Sequence, residues 1–424
     1  MKNNLLKLLT IYLVLNSCSK EILVTEYVTQ IETISIETTP FKDSTLEGEI
    51  KTNTTLDASK VWLLKGRVSV VDGAILTIPA GTIIKGESGT GADASTLIIA
   101  RGAKIDAQGT FQKPIIFTSI SDNVQIGNIY PTSGPSLNVD IRGLWGGLII
   151  LGNAPSSFSG DVSELQIEGI PTSDTSGLYG GVDPNDNSGV LKYVSIRHGG
   201  AEIGEGNEIN GLTLGAVGSN TIIDNIEVIA NVDDGIEFFG GNVNATNLLI
   251  WGQGDDAIDI DQGYSGTIDG VLVILTSASD HGLEIDGPEG SLEGRFTLKN
   301  VTIIGASEGC DALSTDGEIA DFRSKAMGDI DGILVRGFAN DKDVELDNDI
   351  VAQNYTNNKL TFLNWEIIPL TGCENGKLNG EIFNDKSDTS PFEEDALNFA
   401  KIVEESNVGV NESIFDWTFN NTSP

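Results

Sequence analysis

A displacement of 22 residues is the feature that most constrains how this chain can fold. Asn225-Ile226-Glu227-Val228-Ile229, followed by Asp233-Asp234-Gly235-Ile236-Glu237-Phe238, returns as Asn247-Leu248-Leu249-Ile250-Trp251 followed by Asp255-Asp256-Ala257-Ile258-Asp259-Ile260. Two looser rounds come next: Gly270-Val271-Leu272-Val273 with Asp280-His281-Gly282-Leu283-Glu284-Ile285, then Asn300-Val301-Thr302-Ile303 with Cys310-Asp311-Ala312-Leu313-Ser314-Thr315. Each unit is too short and too rich in glycine and β-branched residues for a pair of helices. Repeats of this length with two strands each predict a solenoid whose coils bury their apolar faces against their neighbours. The expected fold is all-β, a right-handed parallel β-helix.

Alternation along each strand selects the inward side chains. Ile226/Val228, Leu248/Ile250, Val271/Val273 and Val301/Ile303 should stack in the core, as should Ile236, Ile258, Leu283 and Leu313. Asn225, Asn247 and Asn300 should form a turn ladder, with Gly270 as its exception. Upstream, runs such as Val61-Trp62-Leu63-Leu64, Leu97-Ile98-Ile99 and Ile115-Ile116-Phe117 read as further strands between tight turns. Fifty glycines and few aromatics favour one long repeat domain, expected over 46–359, rather than several globules. Residues 360–424 should supply a last strand at Leu360–Trp365 and a cap with a short helix between Pro391 and Glu405, onto which Ile414–Phe419 packs. Cys310 and Cys373 can pair in an oxidising compartment, but sequence leaves open whether they meet.

Lys2 and Lys7 stand beside an apolar run, Leu8 to Leu15, that is shorter than the roughly 20 residues needed to cross a bilayer. It reads as an export signal over 1–18. Its end, Leu15-Asn16-Ser17-Cys18, resembles the bacterial lipobox, which implies lipidation at Cys18 and anchorage to a membrane. By the same resemblance Ser19 implies the outer membrane, while Ser19-Lys20-Glu21 is only faintly similar to a surface-export signal, so its two faces stay open. Residues 19–45, rich in Thr, Glu and Ile, read as an extended tether.

Sixty-two acidic residues against 25 basic ones give a net charge of −37, and removal of the signal takes away two lysines more. Nucleic acid and anionic lipid head groups are poor partners for such a surface; cations, cationic partners and neutral or calcium-bridged glycans suit it better. The repeat concentrates this charge in ladders on the outward side. One is Glu237, Asp259, Glu284 and Ser314; a second is Asp234, Asp256, His281 and Asp311; a third is Asp233, Asp255 and Asp280; a fourth is Asp261, Asp286 and Asp316. Strands about 4.8 Å apart place like charges where each pair repels by roughly 1 kcal/mol in water. Calcium, which takes six to eight oxygen ligands in flexible geometry, is the natural occupant. The candidate ligands are Asp233, Asp234, Glu237, Asp255, Asp256, Asp259, Asp261, Asp280, Glu284 and Asp286. Solvated turn carboxylates that cap backbone and discourage edge pairing explain the same residues without a metal. Phe239, Trp251 and Tyr264 are candidates for sugar-stacking platforms, with core or turn packing as their commoner use.

Gly143-Leu144-Trp145-Gly146-Gly147, Tyr193–Gly200, Asp233–Gly241 and Asp255–Asp259 resemble a family of Bacteroidota β-helix lipoproteins, which implies fold and envelope location but no chemistry. Asn231-Val232-Asp233, Gly254-Asp255-Asp256 and His281-Gly282 also resemble, at successive coils, the acidic and histidine motifs of β-helix polygalacturonases. That similarity implies Asp256 as general acid, Asp233 and Asp255 activating water, and His281 orienting it. Two departures weigh against it: Asp280 replaces the glycine before the histidine, and the Arg-any-Lys signature is absent, Arg295 and Lys299 lying four apart. A lyase would need a basic side chain beside the acids, for which Arg197 and Arg295 are the nearest candidates. The expectation is a noncatalytic envelope lipoprotein for calcium-assisted glycan binding or scaffolding. A carbohydrate-active enzyme and an accessory subunit of an outer-membrane transporter complex are the alternatives.

Overall fold

The computed structural model describes residues 41, 43–127, 137–204, 207–310, 317–340, 342–373, 378 and 380–419; the signal, Cys18 and most of the tether lie outside them. From Thr45 onward the strands pair in parallel, each with the strand one coil before and one coil after, apart from a short antiparallel pair, Leu165–Gln166 with Leu178–Tyr179. Two kinds of strand alternate. Short ones, among them Leu212–Gly215, Ile236–Phe239, Ile258–Asp261, His281–Ile285, Glu318–Phe322 and Val344–Leu346, stack into one sheet. Long ones, from Gly189–Arg197 through Ile222–Ile229, Asn244–Trp251, Thr267–Ile274, Phe296–Ile304 and Gly328–Arg336 to Leu360–Ile368, stack into another. The result is an all-β parallel β-helix.

Inward stacks run the length of the solenoid because one residue type recurs at one register position. Leu97, Leu148, Leu212, Ile236, Ile258, Leu283, Ala320 and Val344 are aligned neighbours, all buried. The expected pairs Ile226/Val228 through Val301/Ile303 are buried likewise. Every long strand bends at one left-handed residue: Tyr193, Asn225, Asn247, Gly270, Asn300, Gly332 and Asn364 have φ between 48° and 82°. Asparagine and glycine are the residues that tolerate this region, so Gly270 continues the ladder instead of breaking it. Asn247 Nδ2 donates to Asp224 Oδ1 (3.2 Å), and Asn300 Nδ2 to Asp269 Oδ1 (2.7 Å), fixing the bend.

Three expectations need correction. The rung after Ile285 is Glu318–Phe322, with Ala320 opposite Leu283 where Leu313 is expected. More residues separate the strands there; Asp311, Leu313, Ser314 and Asp316 fall outside the described residues. The solenoid also runs past 359, through Leu360–Ile368 and Phe383–Asp385 to Ala400–Ile402. Finally, Phe415, Trp417 and Phe419 do not pack on the cap. They lie over the long strands, near Leu249, Tyr193 and Trp251.

The end of the core is closed by α2 (Phe392–Phe399), whose Phe392 and Phe399 pack with Phe362 and Phe383 at ring separations of 5.0–5.8 Å. A second helix, α1 (Asp349–Thr356), capped by Asn348, was not evident from the repeat. Cys310 and Cys373 form a disulfide, their Cα atoms 5.2 Å apart, that closes 63 residues of chain. In the chain-entropy account such a loop is stabilised by about 4 kcal/mol.

Candidate functional site

The outward positions of the short-strand sheet change character along its length. Ile98 and Ile149 are covered by Phe158, Ile167, Ile170 and Tyr179, which belong to a long excursion between Leu151 and Gly189. Thr213 follows, and from there the same register position reads Glu237, Asp259, Glu284, Asp321, Glu345. The expected first ladder therefore holds through Glu284 and continues to Asp321 rather than Ser314.

Turns before these strands add the second row. Asp256 N–H donates to Asp234 Oδ1 (3.0 Å), and His281 N–H to Asp256 Oδ1 (2.8 Å), so each acid caps the next coil. Four groups have ligand atoms within 4.8 Å of one another: Asp233, Asp234 and Asp255; Asp234, Glu237 and Asp259; Asp255, Asp256 and Asp280; and Asp256, His281 and Glu284. Asp234 and Glu237 are only 6% exposed and Asp256 only 2%. Desolvation, and then the neighbouring carboxylates, push the acids up: Asp233 to about 7, Asp255 to about 6, Glu284 to about 9, and Asp234, Glu237 and Asp259 well above the usual range. Asp261 rises to about 7, chiefly through burial. Burial works against a charge on His281, but its hydrogen bond to Asp256 and the surrounding acids outweigh that and raise it to about 9.

The face is not uniform in charge balance. On the later coils Arg323 meets Glu284 and Asp286 (Nε to Oδ2, 2.9 Å), Lys342 meets Glu318 at 2.8 Å, and Lys386 pairs with Glu345 at 2.5 Å. On the earlier coils, Asp233, Asp234, Glu237, Asp255, Asp259 and Asp261 form no ion pair among the described residues. Glu168, from the excursion, adds another negative charge felt by Asp233 and Glu237. Asn210 Nδ2 donates to Glu237 Oε2, while Asn210 Oδ1 and Asp259 Oδ1 are buried without a hydrogen-bond partner. Unspent oxygen donors beside crowded carboxylates fit a hard divalent cation of the calcium type.

The residues expected from the polygalacturonase likeness sit together. Asp256 is buried, and its Oδ1 accepts both the backbone N–H and the ring Nδ1 of His281 (2.8 Å each), which leaves it poorly placed to protonate a bound sugar. The basic residue nearest the acids is neither Arg197, which is buried against Glu227 on the long-strand sheet, nor Arg295, which pairs with Asp329 at an exposed edge. It is Arg323, which directly follows the rung Glu318–Phe322; the repeat predicts that rung at 310–315, so its spacing does not point to Arg323. Among the aromatics, Tyr264 is inside the core with its hydroxyl on the Val243 carbonyl (2.6 Å). Phe239 is packed edge-on against Tyr179, and Trp251 against Phe419 on the other sheet. All three pack within the protein, the commoner of the two uses expected for them.

Beside Asp261 and Asp286 opens a cleft of about 920 Å³, lined also by Glu289, Lys325, Asn348, Asp349 and Ser387. Its size suits several sugar units, and most of the residues that line it are polar or charged. Ser324 and Lys325 at its edge both have positive φ, 46° and 78°, an unusual pair for non-glycine residues.

A family model described as a pectate-lyase-like beta helix domain matches residues 48–419. No curated protein and no solved structure matches the chain.

Proposed function

Because the chain belongs to the pectate-lyase-like β-helix domain family, we propose that its acidic face binds glycans with the help of a divalent cation, most naturally calcium. The observation that carries this is the uncompensated stretch on the coils of Ile236–Phe239 and Ile258–Asp261, next to the open cleft. Asp233, Asp234, Glu237, Asp255 and Asp259 would hold the ion, which would supply positive charge for sugar hydroxyls or carboxylates. This reading is of binding rather than turnover, because Asp256 accepts from His281 and Arg323 is ion-paired with Glu284 and Asp286. Calorimetry with calcium, followed by glycan-array screening with and without chelator, tests it. Binding unaffected by chelator, or no calcium uptake at millimolar concentration, would defeat it.

One observation favours a second function, a polysaccharide lyase: Arg323 stands beside the acids, where a lyase needs a cation near its metal. Release of unsaturated ends from a polyuronate would establish that activity. We further propose export and lipid anchorage through Cys18 to the outer membrane of a Bacteroidota-type envelope, supported by residues 1–18, with an outer-membrane complex as a further partner. Among the described residues no helix is long and apolar enough to cross a membrane. Cys18→Ala should release the protein from the membrane fraction.

A further inference from the structure

After Ala400–Ile402 the chain turns back and travels along the outward side of the long-strand sheet. The sheet takes four backbone N–H groups of this segment: Asn407 on Glu366 Oε2 (3.1 Å), Gly409 on the Gly332 carbonyl (3.2 Å), Val410 on Thr302 Oγ1 (3.1 Å) and Phe419 on Glu227 Oε1. Those four acceptors sit on four different coils. Phe415 joins Leu249 and Leu272 in a buried cluster, and the Phe419 ring lies 5.1 Å from the Arg197 guanidinium. Gly409 crosses so close that an added Cβ would come within 2.5 Å of Thr302 Oγ1 and 2.8 Å of Leu334 Cβ, and its φ of 90° excludes other residues on backbone grounds as well.

Coils of a solenoid contact only their neighbours, so its stability is close to a sum of adjacent terms and it can open one coil at a time. A segment bonded to coils far apart adds a coupling that adjacent contacts cannot provide. The stretch that it crosses includes the coils whose short strands carry the acids from Glu237 to Glu345, and ends on the coil of Glu366, which has Asn384 at that position. Where these acids ionise without a paired cation, as on the coils of Glu237 and Asp259, repulsion pushes successive coils apart, and the returning segment spans those coils from the other sheet.

We propose that residues 406–419 are a clasp, a peptide held in cis that binds these coils into one cooperative unit against the repulsion of their carboxylates. The clasp operates whether or not a cation occupies the acidic face, so calcium calorimetry and the experiment below succeed or fail separately.

Native-state hydrogen exchange on the full chain, wild type against Phe415→Ala/Phe419→Ala, is compared at low and at high sodium chloride. In the wild type the strands from Ile222–Ile229 to Leu360–Ile368 should exchange through one shared opening. In the variant they should separate into local openings roughly tenfold faster, and the gap should widen at low salt, where like charges act over a longer range. Faster exchange confined to the amides of Asn407, Val410 and Phe419 would overturn the clasp, and an effect equal at both salt concentrations would overturn its link to the carboxylates. Should the double variant fail to fold, Gly409→Ala dislodges the segment at one crossing only. Strand exchange that stays single and unchanged in that variant, with local exchange raised around Gly409, would overturn the proposal equally.

Discussion

Glu227 and Glu237 stand ten residues apart on consecutive strands, both on outward positions and both almost fully buried, yet they are housed in opposite ways. Glu227 has the Arg197 guanidinium at 3.5 Å, the Ser195 hydroxyl and the Phe419 N–H. Glu237 has one side-chain amide, from Asn210, and the oxygens of Asp234 and Asp259. The protein completes the first carboxylate from its own atoms by folding its tail over it. It leaves the second among like charges. A buried acid without a counter-charge is costly, so the second environment needs protons or a cation from outside.

Breaking the completed side should cost most. Arg197→Met leaves Glu227 buried without its cation and should destabilise the fold by about 3–5 kcal/mol, read as a fall in denaturation midpoint. Glu237→Gln should do the reverse in chelator, leaving stability unchanged or raised, because it removes one of three crowded charges. Equal losses in the two variants would erase the distinction between the faces.

Calcium should act on one face only. If it binds the folded chain alone, a concentration a hundredfold above Kd stabilises by about 2.7 kcal/mol. Glu237→Gln/Asp259→Asn should lose most of that gain, whereas Arg197→Met should keep it despite its lower starting point.

A more gradual change is expected with pH. Asp233, Asp255 and Asp261 are raised to about 7, 6 and 7, so the folded chain holds their protons more tightly than the unfolded one. Their contribution is complete near pH 4 and is lost as pH climbs through 6 to 7; His281, raised to about 9, has the same sign and fades through 9. In chelator the melting temperature should therefore fall from pH 5 to pH 8. Calcium should flatten most of this slope. A remainder belongs to Glu227, raised by burial and out of reach of an added ion. A melting temperature that rises over that range without calcium would contradict these environments.

How much of this was legible depended on whether it repeats. The core stacks and the acids from Asp233 to Asp286 recur with the coil, so neighbouring coils reveal each other, and Asn225, Asn247 and Asn300 announce a left-handed bend. The longer spacing before Glu318 broke the period, and with it went Asp321 and Arg323, although Ala320-Asp321-Phe322 has the strand alternation that would have found them. Glu168 acts only through an excursion that folds back onto the ladder. The Phe419–Glu227 contact joins residues 192 apart with no local pattern, which sequence spacing alone cannot show.

Arg323 offers the smallest and most discriminating effect, because it sits where the compensated and uncompensated parts of the acidic face meet. It is paired with Glu284 and Asp286 on one side, and its charge reaches Asp255, Asp259 and Asp261 on the other. A divalent ion among those acids is repelled by the guanidinium, through partly exposed surroundings that weaken the force. An interaction of about 1 kcal/mol corresponds to roughly fivefold in affinity. Arg323→Gln should therefore tighten calcium binding several-fold in calorimetry and extend the uncompensated stretch by one coil. Glycan binding should follow calcium and strengthen with it. A lyase predicts a different pairing of results: tighter calcium, but loss of polyuronate cleavage, since the cation that serves the reacting sugar is gone. Unchanged calcium affinity in this variant would mean that the ion, if bound, sits beyond the reach of Arg323, nearer Asp233 and Glu168 at the other end of the stretch.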